Sequence, residues 1–205
     1  MPRPTMSTED FDKGRAKILR EAKTIVSKTG FAGLSMRTLA ARVGLTPGAL
    51  YRYFPSKQEM LLGLWQDALL QLGDRLAAVD NEGAAAPGVV RRMLEIYAAF
   101  ALEDHDRFRL LFLENDQGAA GELMRRPGAL TPYELLVTRV AAAVEEGSFI
   151  PGNPVRIAQA LWAAVHGAVT LTVTVDEIDF GDGDLIVQNT LDAVMRGMAA
   201  RRNDL

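Results

Sequence analysis

The chain has 205 residues, with 23 Lys or Arg, 26 Asp or Glu and a formal net charge of −3, a length that can bury a core and accommodate one small and one larger domain. It contains no cysteine, which excludes a disulfide framework, a thiolate metal site and a cysteine nucleophile. Met1–Lys57 carries eleven Lys or Arg against four Asp or Glu, including every lysine of the chain (Lys13, Lys17, Lys23, Lys28 and Lys57), while the remainder carries twelve against twenty-two, so the attachment surface for a polyanion lies in the first segment and the rest repels DNA.

In chain order, Met1–Asp10 has no apolar run after its single arginine and reads as a loose arm, not a secretory signal, in keeping with a cytoplasmic protein. The apolar spacing of Ile18, Ala22, Ile25 and Val26 predicts a first helix from Phe11 to Thr29 that stops at Gly30. The segment Ser35–Phe54 then reads as two short helices folded across a glycine corner. Ser35 offers an N-cap oxygen, Leu39, Ala40 and Val43 share one face, and Gly44 can adopt the left-handed conformation that ends the helix. Thr46 caps the second helix, with Pro47 at its first position. Ala40, four residues before the glycine, allows close approach, and Leu50 fills the gap. This is a helix-turn-helix, whose second helix lies in the major groove of DNA; the alternative is an ordinary helical hairpin.

Ser56-Lys57-Gln58-Glu59 reads as a capping box opening a long fourth helix to about Val79. Asn81–Gly88 is a predicted break. Val89–Leu102 resumes a helix with Met93, Ile96, Tyr97 and Phe100 on one side, and Phe108–Leu113 begins another. Gly118–Gly128 is of low predicted order. Thr131-Pro132-Tyr133-Glu134 is read as a second capping box, and its helix ends near Gly147. Asn153-Pro154 opens the next, and the last runs from about Asp184 to Ala200. No strand and no repeat is expected, so the fold class is all-α. A three-helix DNA-binding domain, residues 1–56, precedes a larger helical domain, 57–205, with about nine helices in all.

Ile157–Val175 contains no charged residue over nineteen positions. Gln159, His166, Thr170, Thr172 and Thr174 interrupt it and an acidic flank follows, so a buried soluble helix is expected and not a membrane span. Such a helix is predicted to face its own domain on one side and a second subunit on the other, joined by the last helix in a four-helix contact that uses Val165, Ala168, Val169, Leu191, Val194 and Met195. The alternative is a central helix in a monomer.

These features together resemble the TetR-type, or tetracycline-repressor-like, family of bacterial transcriptional regulators. The resemblance rests on the three-helix unit, Gly30-Phe31 before the hairpin, and Leu50-Tyr51-Arg52-Tyr53-Phe54 followed by Ser56-Lys57. Trp162-Ala-Ala-Val-His166-Gly167 is similar to a signature of one subset of its C-terminal domains. The resemblance implies a homodimer, a palindromic double-stranded operator, a small-molecule effector bound in the C-terminal domain that usually releases DNA, and no cofactor. By position, Tyr51 and Lys57 would hold phosphates and Arg37 and Thr38 would clamp the backbone. Thr46, Pro47, Gly48, Ala49 and Arg52 would lie at the reading helix, with Ala49 against a thymine methyl and Arg52 on a guanine. Tyr53 is assigned to the DNA backbone, the alternative being core packing against the fourth helix.

Trp162, His166 and Thr170 step by four and share a face. With Trp65, Leu69, Met93, Tyr97, Phe100, Phe108 and Phe112 they are candidates for an apolar effector pocket suited to a neutral or weakly polar ligand; the plainer alternative is an aromatic core. Enzyme signatures are missing: there is no Gly-x-Ser-x-Gly, no Gly-x-x-x-x-Gly-Lys and no His-Glu-x-x-His. His105 lies in an acidic turn. The patch Asp176, Glu177, Asp179, Asp182 and Asp184 does not have calcium-loop spacing, and Asp179-Phe180-Gly181 matches a kinase triplet without other kinase motifs. An architectural DNA-binding protein that senses nothing is the other class in contention.

Overall fold

The computed structural model describes residues 7–80, 84–113, 121–175 and 177–200. Nine helices are named among them: α1 (Thr8–Thr29), α2 (Met36–Val43), α3 (Pro47–Tyr53), α4 (Lys57–Asp80), α5 (Ala86–Leu102), α6 (His105–Phe112), α7 (Thr131–Glu145), α8 (Pro154–Thr174) and α9 (Gly183–Met198). Residues 121–123 are also helical, and the described residues contain no strand, only one antiparallel bridge between Phe149 and Ala199. The architecture is all-α.

The chain divides into two units, Met1–Ala68 with Leu110–Arg126, and Leu69–Arg109 with Pro127–Leu205. In the first, α1, α2 and α3 pack on one another. Ser35 Oγ accepts from the Thr38 amide at 3.4 Å, Gly44 ends α2 at φ 76°, and Thr46 Oγ1 accepts from the Ala49 amide at 3.2 Å. The chain reverses at that glycine because a left-handed residue carries no Cβ penalty only when it is glycine. Ile18, Ala22, Leu39, Ala40, Leu50 and Phe54 are each at most 1% exposed; the small Ala40 lets the helices approach, and Leu50 is enclosed between them.

The second unit is built around α8, which packs on α5, α7 and α9. Its inward stripe is Leu161, Val165 and Val169, each 0% exposed. The backbone of Ser148–Ile150 pairs with the end of α9, where the Ile150 amide donates to Met198 at 2.8 Å and the Ala200 amide to Ser148 at 3.0 Å.

Several boundaries differ from expectation. α1 begins at Thr8, because Ser7 Oγ accepts from the Asp10 amide at 3.1 Å and so caps it; the part of the expected arm before Ser7 lies outside the described residues. α5 begins at Ala86, not Val89, since Pro87 fits the first turn; the predicted break from Asn81 to Gly83 lies outside the described residues. α6 begins at His105, because Asp104 Oδ1 accepts from the Arg107 amide at 2.9 Å, so His105 is an exposed first helical residue instead of part of a turn. Of the stretch expected to be poorly ordered, 118–120 is likewise outside the described residues, and 121–123 is helical.

The capping box at Thr131 is not formed. The N-cap is Leu130, at φ −92° and ψ −7° with no side-chain cap bond, because the chain enters α7 from a turn at Gly128 (φ 79°) already winding helically. A capping hydroxyl needs an extended backbone, and Thr131 is inside the helix. At Ser56 half of the predicted box is present: Ser56 Oγ accepts from the Glu59 amide at 3.0 Å, but the Glu59 carboxylate is taken by Arg126 Nη2 at 2.8 Å.

Leu50→Ala should lower stability by about 2–5 kcal/mol, because it empties a slot closed on all sides. Urea unfolding followed by circular dichroism tests this; a loss well under about 1 kcal/mol would show that the corner closes around the missing side chain.

Candidate nucleic-acid interface and aromatic cluster

The face that α3 exposes follows from the side that it buries. With Leu50 directed inward, steps of about 100° leave Gly48, Tyr51 and Arg52 outside; all three are exposed, Tyr51 at 46%, as is Pro47 at the first position of the helix. Ala49 is half-buried, and Thr46, Arg37 and Thr38 are exposed at the heads of α3 and α2. A Cβ built on Gly48 would meet no atom within 4 Å, so packing does not explain a glycine that helix propensity disfavours. It leaves the backbone of the exposed face bare.

Tyr53 is half-buried and packs on α1. Its ring stacks on Phe11 with centroids 4.8 Å apart and an interplanar angle of 20°. The fit also requires Gly14, since a Cβ there would come within 2.6 Å of the Tyr53 hydroxyl. Lys57, the first residue of α4, donates to the Ala32 carbonyl at 3.3 Å and lies 4.6 Å over the Phe31 ring. An ammonium has three donors, so this tether steers the charge beside a helix N-terminus without exhausting it.

Other basic residues of the first unit have contacts that the sequence did not signal. Lys17 donates to the Val43 carbonyl at 3.2 Å, capping the end of α2. Arg42 pairs with Glu21 at 3.3 Å and Lys13 with Glu9 at 2.6 Å.

In the second unit, four of the ten predicted effector residues meet in one aromatic cluster. Tyr97 Oη and His166 Nδ1 are 2.6 Å apart; Phe108 lies 5.3 Å and Trp162 5.9 Å from the His166 ring, and Trp162 stands edge-on to Tyr97 at 6.3 Å and 83°. Tyr133, which sequence reasoning read only as part of a cap, joins it 6.1 Å from Trp162; no periodicity marked it. Burial pushes the Tyr97 hydroxyl well above the usual phenol range and the His166 imidazole below its ordinary value, so both are uncharged near neutrality.

Thr170 Oγ1 is buried without a hydrogen-bond partner. Leu69, Met93 and Phe100 are buried in the same unit. The Phe100 ring is covered by the Arg107 guanidinium at 3.5 Å, with Arg75 at 5.4 Å, and Arg107 Nη2 also donates to the Phe100 carbonyl. Trp65 and Phe112 fall in the first unit, and the Trp65 indole N–H is buried without a partner.

The predicted subunit-contact residues divide. Val165, Ala168, Val169 and Leu191 are at most 6% exposed within the single chain, which corrects the expectation: a side chain enclosed by its own subunit has no area left for another. Val194 and Met195 are half-buried. On α8 and α9 the apolar surface that remains outside includes Leu171 at 44% and Leu185 at 57%, so the outward stripe is rotated from the one predicted. α8 is long and apolar enough to cross a membrane by length and composition alone, yet three helices pack on it.

Residues 18–64 match the family model described as bacterial regulatory proteins, tetR family, and residues 90–194 match that of the tetracyclin repressor-like C-terminal domain. The chain is 27% identical over 206 residues to the HTH-type transcriptional regulator TtgR of Pseudomonas putida, covering 95% of this chain and 97% of that protein. It is 33% identical over 125 residues to the HTH-type transcriptional repressor KstR of Mycolicibacterium smegmatis, covering 58% of this chain and 59% of that protein. A solved structure of a protein with unknown function from Rhodococcus sp. RHA1 superposes with a TM-score of 0.79 at 27% identity, covering 97% of this chain and 99% of that one.

Two outcomes are expected. Gly48→Ala should stabilise the fold by about 0.5–1 kcal/mol while weakening binding to duplex DNA, measured by fluorescence anisotropy; unchanged binding would separate the bare backbone from DNA contact. For His166, a pKa held below the unfolded value of 6.5 means that the unfolded state binds the proton more readily. Its contribution is complete above about pH 6.5 and declines as pH falls below that. The urea midpoint of the wild type should therefore fall more steeply from about pH 7 to 5 than that of His166→Gln; parallel slopes would show that His166 protonates in place at no cost.

Proposed function

The chain belongs to the TetR family of helix-turn-helix transcriptional regulators, and from that premise we propose that it is a homodimeric repressor released from a palindromic operator by a small, largely apolar effector. The reader is the segment before residue 57, and the remainder carries dimerisation and effector binding. The observation that supports this most is the outward face of α3, where Gly48, Tyr51 and Arg52 stand exposed, with Arg37 and Thr38 exposed at the head of α2 and Lys57 at the head of α4.

In this reading Arg52 reads a base edge, Ala49 and Gly48 allow close approach, and Tyr51, Tyr53, Lys57, Arg37, Thr38, Thr46 and Pro47 face the backbone. A two-fold dimer then sets half-sites about 34–36 Å apart, or a multiple of that. The dimer contact uses the outward faces of α8 and α9, with Leu171 and Leu185 exposed for it. The effector occupies the cluster around Trp162 and His166, which is aromatic and uncharged. Its relatives are named as transcriptional regulators, and the proposal assigns no catalysis.

Selection of bound sequences from random duplex DNA at near-physiological salt tests the proposal, since affinity without stated salt carries little meaning. One enriched palindrome is expected. Arg52→Ala should then weaken the selected site by about 1–3 kcal/mol and relax one base position, whereas Lys57→Ala should weaken all sequences alike. Salt-sensitive binding with no enriched motif would instead favour an architectural protein, and equal loss on matched and scrambled DNA for Arg52→Ala would reject base readout.

A further inference from the structure

Three threonines near the end of α8 treat their hydroxyls differently. Thr172 donates to the Ala168 carbonyl at 3.0 Å and Thr174 to the Thr170 carbonyl at 2.6 Å, each reaching back one turn as threonines inside helices do. The Thr170 hydroxyl is buried with no partner. An unpaired buried hydroxyl is costly, because it has lost water and gained nothing in return.

Thr170 lies on one face of α8 with His166 and Trp162, at spacings of four. All three are half-buried, while the adjoining stripe of Leu161, Val165 and Val169 is 0% exposed. Had this face been ordinary core, it would be closed as its neighbour is. Instead it is partly open, and rings from three other helices lie against its Trp162 and His166: Tyr97 on α5, Phe108 on α6 and Tyr133 on α7. No member of the cluster carries a formal charge near neutrality, so a charged ligand would find no counter-ion among them.

We propose that this face binds a neutral aromatic small molecule carrying a hydroxyl group, with its ring against Trp162 and Phe108 and its hydroxyl bonded to Thr170 Oγ1. This rests on the reading of the C-terminal unit as the effector-binding part. A hydroxyl is the smallest ligand group that both donates and accepts, so it satisfies a threonine oxygen in either sense.

The test uses the full-length protein and a matched pair of probes, 4-propylphenol and 4-propyltoluene, which differ by a hydroxyl in place of a methyl, with 4-propylbenzoate as the charged comparison. Calorimetry should show the phenol binding about tenfold more tightly than the toluene to the wild type. Thr170→Val keeps the shape and removes the hydroxyl, and should bring the two within about twofold; Thr170→Ser should keep the preference. Without any probe, Thr170→Val should raise the melting temperature by about 2–4 °C, the reverse of what loss of a structural hydrogen bond would do.

Equal affinity of phenol and toluene for the wild type, a preference that survives in Thr170→Val, a lower melting temperature in that variant, no binding of the phenol, or tighter binding of the benzoate would each overturn the inference. Binding of the phenol with DNA still held would leave it standing and remove ligand release from the proposed function. Release of DNA by some other compound, with no binding of the phenol, would do the opposite.

Discussion

The placement of Leu50 is the constraint from which the exposed face of α3, the proposed reading surface, follows. α3 has seven residues, far below the length at which a helix is stable alone in water, so its existence and orientation come from its surroundings. Thr46 and Pro47 start it, Leu50 anchors it with no exposed area, and the stacking of Tyr53 on Phe11 fixes its end against α1. Once those inward positions are set, helical geometry leaves no freedom over which residues face out. The exposed row is thus a consequence of packing, and rotating it would require Leu50 to leave its slot.

The basic character of the first unit is less available than the residue count suggests, but it is not spent. Lys13 and Arg42 are held in exposed ion pairs with Glu9 and Glu21, and pairs of that kind contribute about 0–1 kcal/mol. An interaction so weak is readily exchanged for a phosphate, particularly when counterion release adds to the gain. Lys17 differs, because it satisfies a helix-end carbonyl at Val43 and would leave that group bare on moving. The charge imbalance marks the segment in which a polyanion surface is expected; only the contacts distinguish a movable charge from a structural one.

What the sequence made legible was local. The caps at Ser35, Thr46 and Asn153 and the glycine stop at Gly44 each depend on residues within one turn, and each is formed as expected. Ser7 with Asp10 is an equally local cap, lying within the segment whose composition suggests a loose arm. Thr131 failed for the opposite reason: its motif was present, but the turn at Gly128 delivered the backbone in the wrong conformation. α8 shows the limit of periodicity. A helix apolar on every side has little hydrophobic contrast, so its pattern cannot say which stripe turns inward, and Val165 and Val169, expected against a partner, fill their own core.

The chemistry of the aromatic cluster was hidden for a related reason. Thr170, Thr172 and Thr174 are identical in type and spaced by two, and nothing in the sequence ranks one above another. The difference arises because steps of 200° place Thr170 on the face of Trp162 and His166 and Thr172 on another. Two hydroxyls satisfy themselves on the backbone and the third does not. A ligand shifts a conformational equilibrium only by its difference in affinity between the two states. A hydroxyl already bonded to its own helix has little to gain from a ligand, whereas an unpaired one changes its energy sharply when a partner arrives. Of the three threonines, the one whose hydroxyl is left unpaired is therefore the one with most to gain from the ligand proposed for this face.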